Sequence, residues 1–522
     1  MTENFKALVV ILGLAIPTLL YLRRPLTWGA ISASDYQLRM GLWIWLTIVL
    51  FVAYSFWLFV LITAVTLLTV GRKDSNPLGL YFFLLLLAPP FHSVIQGFGG
   101  INRFIDIDFL RLLSLVILLP TAARLSVAPQ TAKLFRMPAD KYVLGYLALL
   151  LAIQFPLTTM TDELRSFVSF FIDVFLPYYV FSRGLTDMQK VKDAFASFAG
   201  ACAVMAVIAL FEVFKGWLLY SSLPNFLNVT WSMGGYMMRE GSLRATVSTG
   251  HSIILGYVMT VALGLHLTLR SAYPSARAWR NVLMLLAAGI VASLARGPWV
   301  GALALVAVAM LLGPNAGRRG SKVVFAAILL APLAMLTPAG PKIMSMLPFI
   351  GNADQGSVDY RQQLFDVSWE IFLLNPILGS PYYLYNPGME QMRQGEGIID
   401  MVNSYLGIAL PTGLVGLSLF LGAFVSSVAR LFRRLIADRS ASEPNLVGRG
   451  LLATIVGVLV IIATASSINA VPVVYWCLAG AAAAFLRLAP SEAAVEGPRS
   501  AQSDLGARPG FAPNARRGRG QA

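Results

Sequence analysis

Arg296 stands by itself between two apolar runs, in the stretch Ser293-Leu-Ala-Arg-Gly-Pro-Trp299. Proline suits the first turn of a helix, so the stretch reads as a tight hairpin between two helices with a cation at its tip. A guanidinium placed there reaches the level of lipid phosphates. An arginine that only snorkels to headgroups would look the same. Basic residues, however, favour the cytoplasmic side of membrane proteins, and this one falls on the other. A second set of polar residues lies in one long segment, about 339–412, with Tyr360, Arg361, Asp366, Trp369, Glu370, Arg393, Glu396, Asp400 and Asn403. Loops of that length are functional or disordered, and an internal helical pattern argues against disorder. The pattern runs from Val358 to Leu374, capped by Ser357 and stopped at Asn375-Pro376. Spacing of four lines Arg361 up with Phe365 and Trp369, and Phe372 follows on that face. Gln362, Asp366 and Glu370 form a separate row. The helix reads as interfacial, its apolar face on the bilayer. Arg361 lies beside that face, as a functional cation or as half of a surface ion pair.

Arg244, in Gly241-Ser-Leu-Arg-Ala-Thr-Val-Ser-Thr-Gly250, precedes another apolar run. Such a stretch can offer backbone N–H groups and a helix N-terminus to an anion, or it is an ordinary capping loop. His251 after it reads as a boundary residue rather than a base. Asp106 and Asp108 are spaced like metal-binding acids but equally complement a helix dipole. Asp173, inside an apolar run, needs a polar partner. Two cysteines inside apolar runs and three histidines leave little for a disulfide or a metal centre, so no metal or other cofactor is expected.

The elements that position these residues are membrane helices. Hydrophobic residues are 57% of the 522, charged residues 12%, and the mean hydropathy is +0.71. Soluble domains carry about 25% charged residues, so the chain is expected to be an all-α polytopic membrane protein. Apolar runs of spanning length suggest about 12–14 transmembrane helices, the run near 43–70 being one tilted helix or two short ones. The net charge of +15 comes from clusters at the ends of apolar runs, a pattern of topology and lipid contact rather than nucleic-acid binding. Basic stretches at 72–73, 124–141, 183–192, 270–280, 318–322 and 430–449 share one side, expected to be cytoplasmic together with both termini. The opposite side receives Arg296 and the external loop. Arg23-Arg24 would fall outside, against the rule. Residues 1–488 read as an integral membrane domain and 489–522 as a disordered basic cytoplasmic tail.

The order of these features resembles the O-antigen polymerase and O-antigen ligase family of bacterial envelope glycosyltransferases. A span ends in Ser-Leu-Ala-Arg296-Gly-Pro-Trp-Val-Gly. Two spans later a long external loop contains Arg361, Trp369 and Asn375-Pro-Ile-Leu-Gly379, and it closes with Asn403-Ser-Tyr405-Leu before Gly413-Leu-Val-Gly416. The resemblance covers about 240–430 and implies a metal-independent enzyme of the bacterial inner membrane, its active site facing the periplasm or exterior. It implies an undecaprenyl-diphosphate-linked glycan as donor, attacked at its reducing-end sugar. External arginines would hold the diphosphate: Arg296 and Arg361, with Arg244 a further candidate. Asn403, Tyr405 and Trp369 are candidates for substrate binding. Ligase-type members are expected to carry a histidine just before the closing-motif asparagine, where this chain has Val402. That departure favours a polymerase of exopolysaccharide or O-antigen-like repeat units, with a flippase and a chain-length regulator as possible partners. It leaves Glu396 and Asp400 as candidates for the base. A ligase transferring glycan to a lipid or protein is the alternative. A flippase or solute transporter would instead place charges near the bilayer midplane, often in repeated halves.

Overall fold

A computed structural model describes residues 2–97, 103–231, 235–313, 355–394 and 397–488. The helices used below are α1 (Thr2–Thr27), α2 (Ala33–Val52), α3 (Phe56–Thr69), α4 (Pro77–Leu84), α5 (Phe109–Val127), α6 (Pro138–Gln154), α7 (Met160–Gly184), α8 (Met188–Lys215), α9 (Ser252–Leu267), α10 (Ala276–Ala292), α11 (Arg296–Leu311), α12 (Gln355–Leu374), α13 (Ser404–Ala437), α14 (Glu443–Ile462) and α15 (Ala470–Leu488). Strands are confined, among the described residues, to two small antiparallel hairpins: β1 (Ser93–Gln96) with β2 (Arg103–Ile107), and β3 (Met238–Arg239) with β4 (Ser242–Leu243). The fold is that of an all-α polytopic membrane protein. Nine of the described helices are long and apolar enough to cross a membrane. Helices α6, α9, α10 and α11 have 16 or 17 residues. At about 1.5 Å per residue they fall short of a hydrocarbon core of about 30 Å, hence the higher count from apolar runs alone. The run near 323–338 and the tail 489–522 lie outside the described residues.

The run near 43–70 is two helices, α2 and α3, parted at Ala53–Ser55. This split changes the parity of the N-terminal region. Gly29 lies against the backbone of Ala272, and the Gln189 amide donates to the Ala30 carbonyl at 2.8 Å. Arg23-Arg24 therefore sit at the same end of the bundle as the 183–192 and 270–280 basic stretches, as the charge rule requires. The start of α1 is at the other end, where the Ser222 hydroxyl donates to Asn4. Arg487, near the end of α15, donates to the Leu185 carbonyl at 2.9 Å. The expectation that both ends of the chain share a side is thus corrected: α1 begins at the end opposite to where α15 finishes.

Small residues set the closest contacts, as membrane interiors favour. Gly301 of α11 faces the Gly457 carbonyl of α14, and Gly480 of α15 faces the Tyr178 carbonyl of α7. Three cations of the bundle are matched by acids. Arg39 pairs with Asp74 at 2.7 Å and also meets Asp193 and Ser197. Arg183 pairs with Asp140 at 2.8 Å, and the Tyr178 hydroxyl donates to the same carboxylate. Asp173 finds its partner in Arg111, at 2.7 Å.

Helix α12 begins at Gln355, so Ser357 lies inside it rather than capping it, and it stops at Asn375-Pro376 as expected. Leu364 and Ile371 bury against Met389, Met392 and Leu410. The Phe365, Trp369 and Phe372 rings stack along a neighbouring stripe, exposed at Phe365 and Trp369 and partly buried at Phe372. The turn after α12 wedges into α13, which is broken at Gly413 behind Pro411. Ser380 N–H donates to the Leu410 carbonyl at 2.8 Å, Leu414 N–H to Pro376 at 2.8 Å, and Val415 N–H to Ile377 at 3.1 Å. Proline and a kinked glycine free these groups of α13 from intrahelical bonding. The Asn-Pro-Ile-Leu-Gly turn satisfies them.

Candidate functional site

The loop between β4 and α9 is held from behind by Glu212, a fully buried residue near the end of α8. Its carboxylate accepts the N–H groups of Leu219 at 3.0 Å, Thr246 at 3.0 Å and Val247 at 2.9 Å. Val247 has φ 48°, a left-handed conformation costly for a β-branched residue, and the bond to Glu212 holds it there. The same loop is tied to the α10–α11 break: Ala245 N–H donates to the Ala292 carbonyl at 3.2 Å, and the Arg239 guanidinium donates to that of Leu294. Glu212→Gln places an amide NH₂ against backbone donors, losing bonds worth about 1–3 kcal/mol. We expect it to lower activity about 10²-fold by displacing Arg244, while the protein stays folded by size-exclusion and thermal-shift measurements.

Arg244 itself is half-buried, and its Nε has no acceptor among the described residues. One Nη lies 3.9 Å from the Met237 sulfur. Burial, then the charges of Arg239 and Arg361, push its pKa down to about 10. Arg361, on α12, is lowered by burial as well, opposed by the charge of Asp400. Elsewhere in the bundle Arg39, Arg111 and Arg183 each have a carboxylate in contact. Here the charges of Arg239 and Arg361 act on Arg244, and the charge of Asp400 acts on Arg361.

Beside these arginines is a cavity of about 1040 Å³. Its wall includes Met237 and His251, Asp400 and Val402 from the long segment, and Ser466 from the α14–α15 connection, with Tyr146, Ile408 and Tyr475 contributed by helices. Asp400 is held by Ser466, whose hydroxyl donates to its carboxylate at 2.6 Å. Tyr360 Oη donates to the Asp400 carbonyl at 3.1 Å, and burial followed by the Asp400 charge raises the pKa of that phenol. Arg296 opens α11. The next residue, Gly297, packs on Thr464, which lines the cavity.

Arg361 thus lies in the field of both Arg244 and Asp400, with Arg296 at the adjoining break; of these four only Asp400 lines the cavity. Asn403 and Tyr405 lie nearby without lining the cavity. Asn403 caps α13, accepting the N–H of Tyr405 at 2.9 Å, and the Tyr405 hydroxyl donates to the Leu459 carbonyl at 2.7 Å. Trp369 is half-exposed on the aromatic stripe of α12. Glu396 lies outside the described residues. Sequence reasoning missed Arg239, Ser466 and the place of His251 in the wall. The polar run Ser466-Ser467 between two apolar helices was the available signal for the second of these.

Residues 282–421 match the family model described as O-antigen ligase. Over that region the chain is similar to the O-antigen ligase family. The matched stretch runs from within α10 into α13, and it contains Arg296, Arg361 and Asp400. The ligase-like region therefore supplies the acid and two cations of the site, and the Arg244–His251 loop outside it supplies the rest. No curated protein matches the chain.

Proposed function

We propose that this protein polymerises undecaprenyl-diphosphate-linked oligosaccharide repeat units at the external face of the bacterial inner membrane. The observation behind this reading is that Arg244, Arg361 and the Asp400 carboxylate gather beside a cavity large enough for sugar residues. Asp400 takes the proton of the acceptor hydroxyl. The hydroxyl oxygen attacks the anomeric carbon of the donor's reducing-end sugar, and the bond from that carbon to the diphosphate breaks. The electron pair leaves on the diphosphate, where Arg244 and Arg361, with Arg296 nearby, stabilise charge that grows in the transition state. Val402, in place of the histidine expected of ligase-type members, favours polymerisation over transfer to a separate acceptor.

Asp400→Asn keeps an acceptor for Ser466 while removing the base. It is expected to lower transfer by about 10²–10⁴-fold, with single lipid-linked repeats accumulating in gels of membrane glycolipids. Normal long polymer that never reaches a lipid or protein acceptor in such cells would favour the ligase reading. The proposed orientation has its own check. A cysteine at Ala441, beside the basic stretch 430–449, should resist membrane-impermeant thiol reagents in intact cells, whereas one at Gly388 should react.

A further inference from the structure

His251 has two ring nitrogens in different situations. It is the N-cap of α9, and its Nδ1 accepts the N–H of Ile253 at 3.2 Å. A neutral imidazole whose Nδ1 accepts a hydrogen bond carries its proton on Nε2. The ring lines the cavity, and the described residues give Nε2 no hydrogen-bond partner. We propose that His251 is a fixed neutral donor, which offers Nε2–H to an oxygen of the bound glycan and is kept by its capping bond from serving as the base. The inference rests on reading the cavity as the glycan site. It assigns that site a positioning contact that neither the arginines nor Asp400 can supply, namely a donor without charge.

The electrostatics agree with the geometry. Burial, followed by the charge of Arg244, lowers the His251 pKa to about 4, against the opposing pull of Asp400. The ring is therefore neutral at pH 7. A neutral donor adds no competing charge for the diphosphate clamp and does not neutralise the carboxylate beside it. If Nδ1 released the Ile253 N–H to accept a proton from substrate, α9 would lose its cap.

The full-length protein in nanodiscs, labelled with ¹⁵N-histidine, tests the tautomer directly, because the chain has 3 histidines. The expected spectrum assigns His251 a neutral Nε2–H form at pH 7 that takes up a proton only near pH 4. An Nδ1–H form, or an imidazolium at pH 7, overturns the proposal. Substitutions separate the cap from the donor. His251→Asn retains both functions and should stay within about threefold of the wild-type transfer rate, since an amide offers the same acceptor and donor. His251→Ser keeps a good cap but lacks the reaching N–H, and should lose about 10²-fold in transfer with an unchanged Tm. His251→Gln keeps the donor and caps poorly, so it should lower Tm more than transfer. A fully active His251→Ser, with Asp400→Asn inactive, removes the donor role and leaves the site reading standing. If Asp400→Asn and Arg361→Ala are also fully active, the site reading fails together with it.

Discussion

Arg361→Ala and Arg244→Ala are each expected to lower glycan transfer by about 10²-fold or more, because each removes a charge-assisted contact that strengthens as the sugar–diphosphate bond breaks. Lys at 361 should rescue only in part, since it supplies a point charge without the planar fork. Cells with the double variant should accumulate single lipid-linked repeat units and lack long polymer, at normal levels of membrane-inserted protein. Stability should move the other way. The folded-state pKa of Arg244 lies at about 10, below its ordinary value. At neutral pH the guanidinium is charged in both states, and the lowered value means that folding is disfavoured by keeping it charged; that cost fades only as pH rises through the folded value toward the ordinary one. Arg244→Met should therefore be at least as thermostable as wild type while inactive, the pattern of a residue retained for its ligand. A sharp loss of Tm would make Arg244 a structural residue instead. Unchanged polymer length in the Arg244→Ala, Arg361→Ala double variant would sink the mechanism.

Gly413→Ala is expected to have the largest structural effect. The residue has φ 62° and ψ −162°, a region open essentially to glycine alone, and forcing alanine into it costs about 1–3 kcal/mol. A Cβ there would also overlap the Ile377 carbonyl, adding about 1–3 kcal/mol of overpacking. Both penalties fall on the joint where the Asn375–Gly379 turn enters α13. The predicted consequence is release of that turn and of the C-terminal end of α12, the helix that holds Arg361. Limited proteolysis should cut near residues 375–380 in the variant and not in wild type, and transfer should be lost. Gly407, in the same helix with only Met401 near an added Cβ, lines the cavity, so Gly407→Ala is the control for proteolysis alone, where it should be protected like wild type. Equal protection of both variants would show that the wedge does not hold the segment.

Much of this protein could be read from the order of its residues. Hydropathy over tens of residues decides membrane insertion, so the all-α polytopic class and the positions of most helices were legible. Arg296, Arg361 and Arg244 stood out because a cation on the less basic side of a membrane protein needs a reason. Asn375-Pro376 announced the end of α12 because proline disfavours helix in the residue before it. All of these are local properties of composition and spacing.

The tertiary structure decided what depends on distance between segments. Whether 43–70 was one helix or two could not be read from hydropathy, since both bury the same residues, and the break at Ala53–Ser55 set which end of the bundle α1 starts from. Asp173 announced a need for a partner, but only packing chose Arg111. Asp400, like Glu396, was a candidate base in the sequence, but its hydrogen bond from Ser466 and its place in the field of Arg361 come only from packing. Asn403 and Tyr405 stand in the closing motif yet make backbone contacts that cap and anchor α13. His251 reads as a boundary residue in one dimension because its cap is local. Its second nitrogen acquires a role only when α9, the long segment and the α14–α15 connection are folded around one cavity.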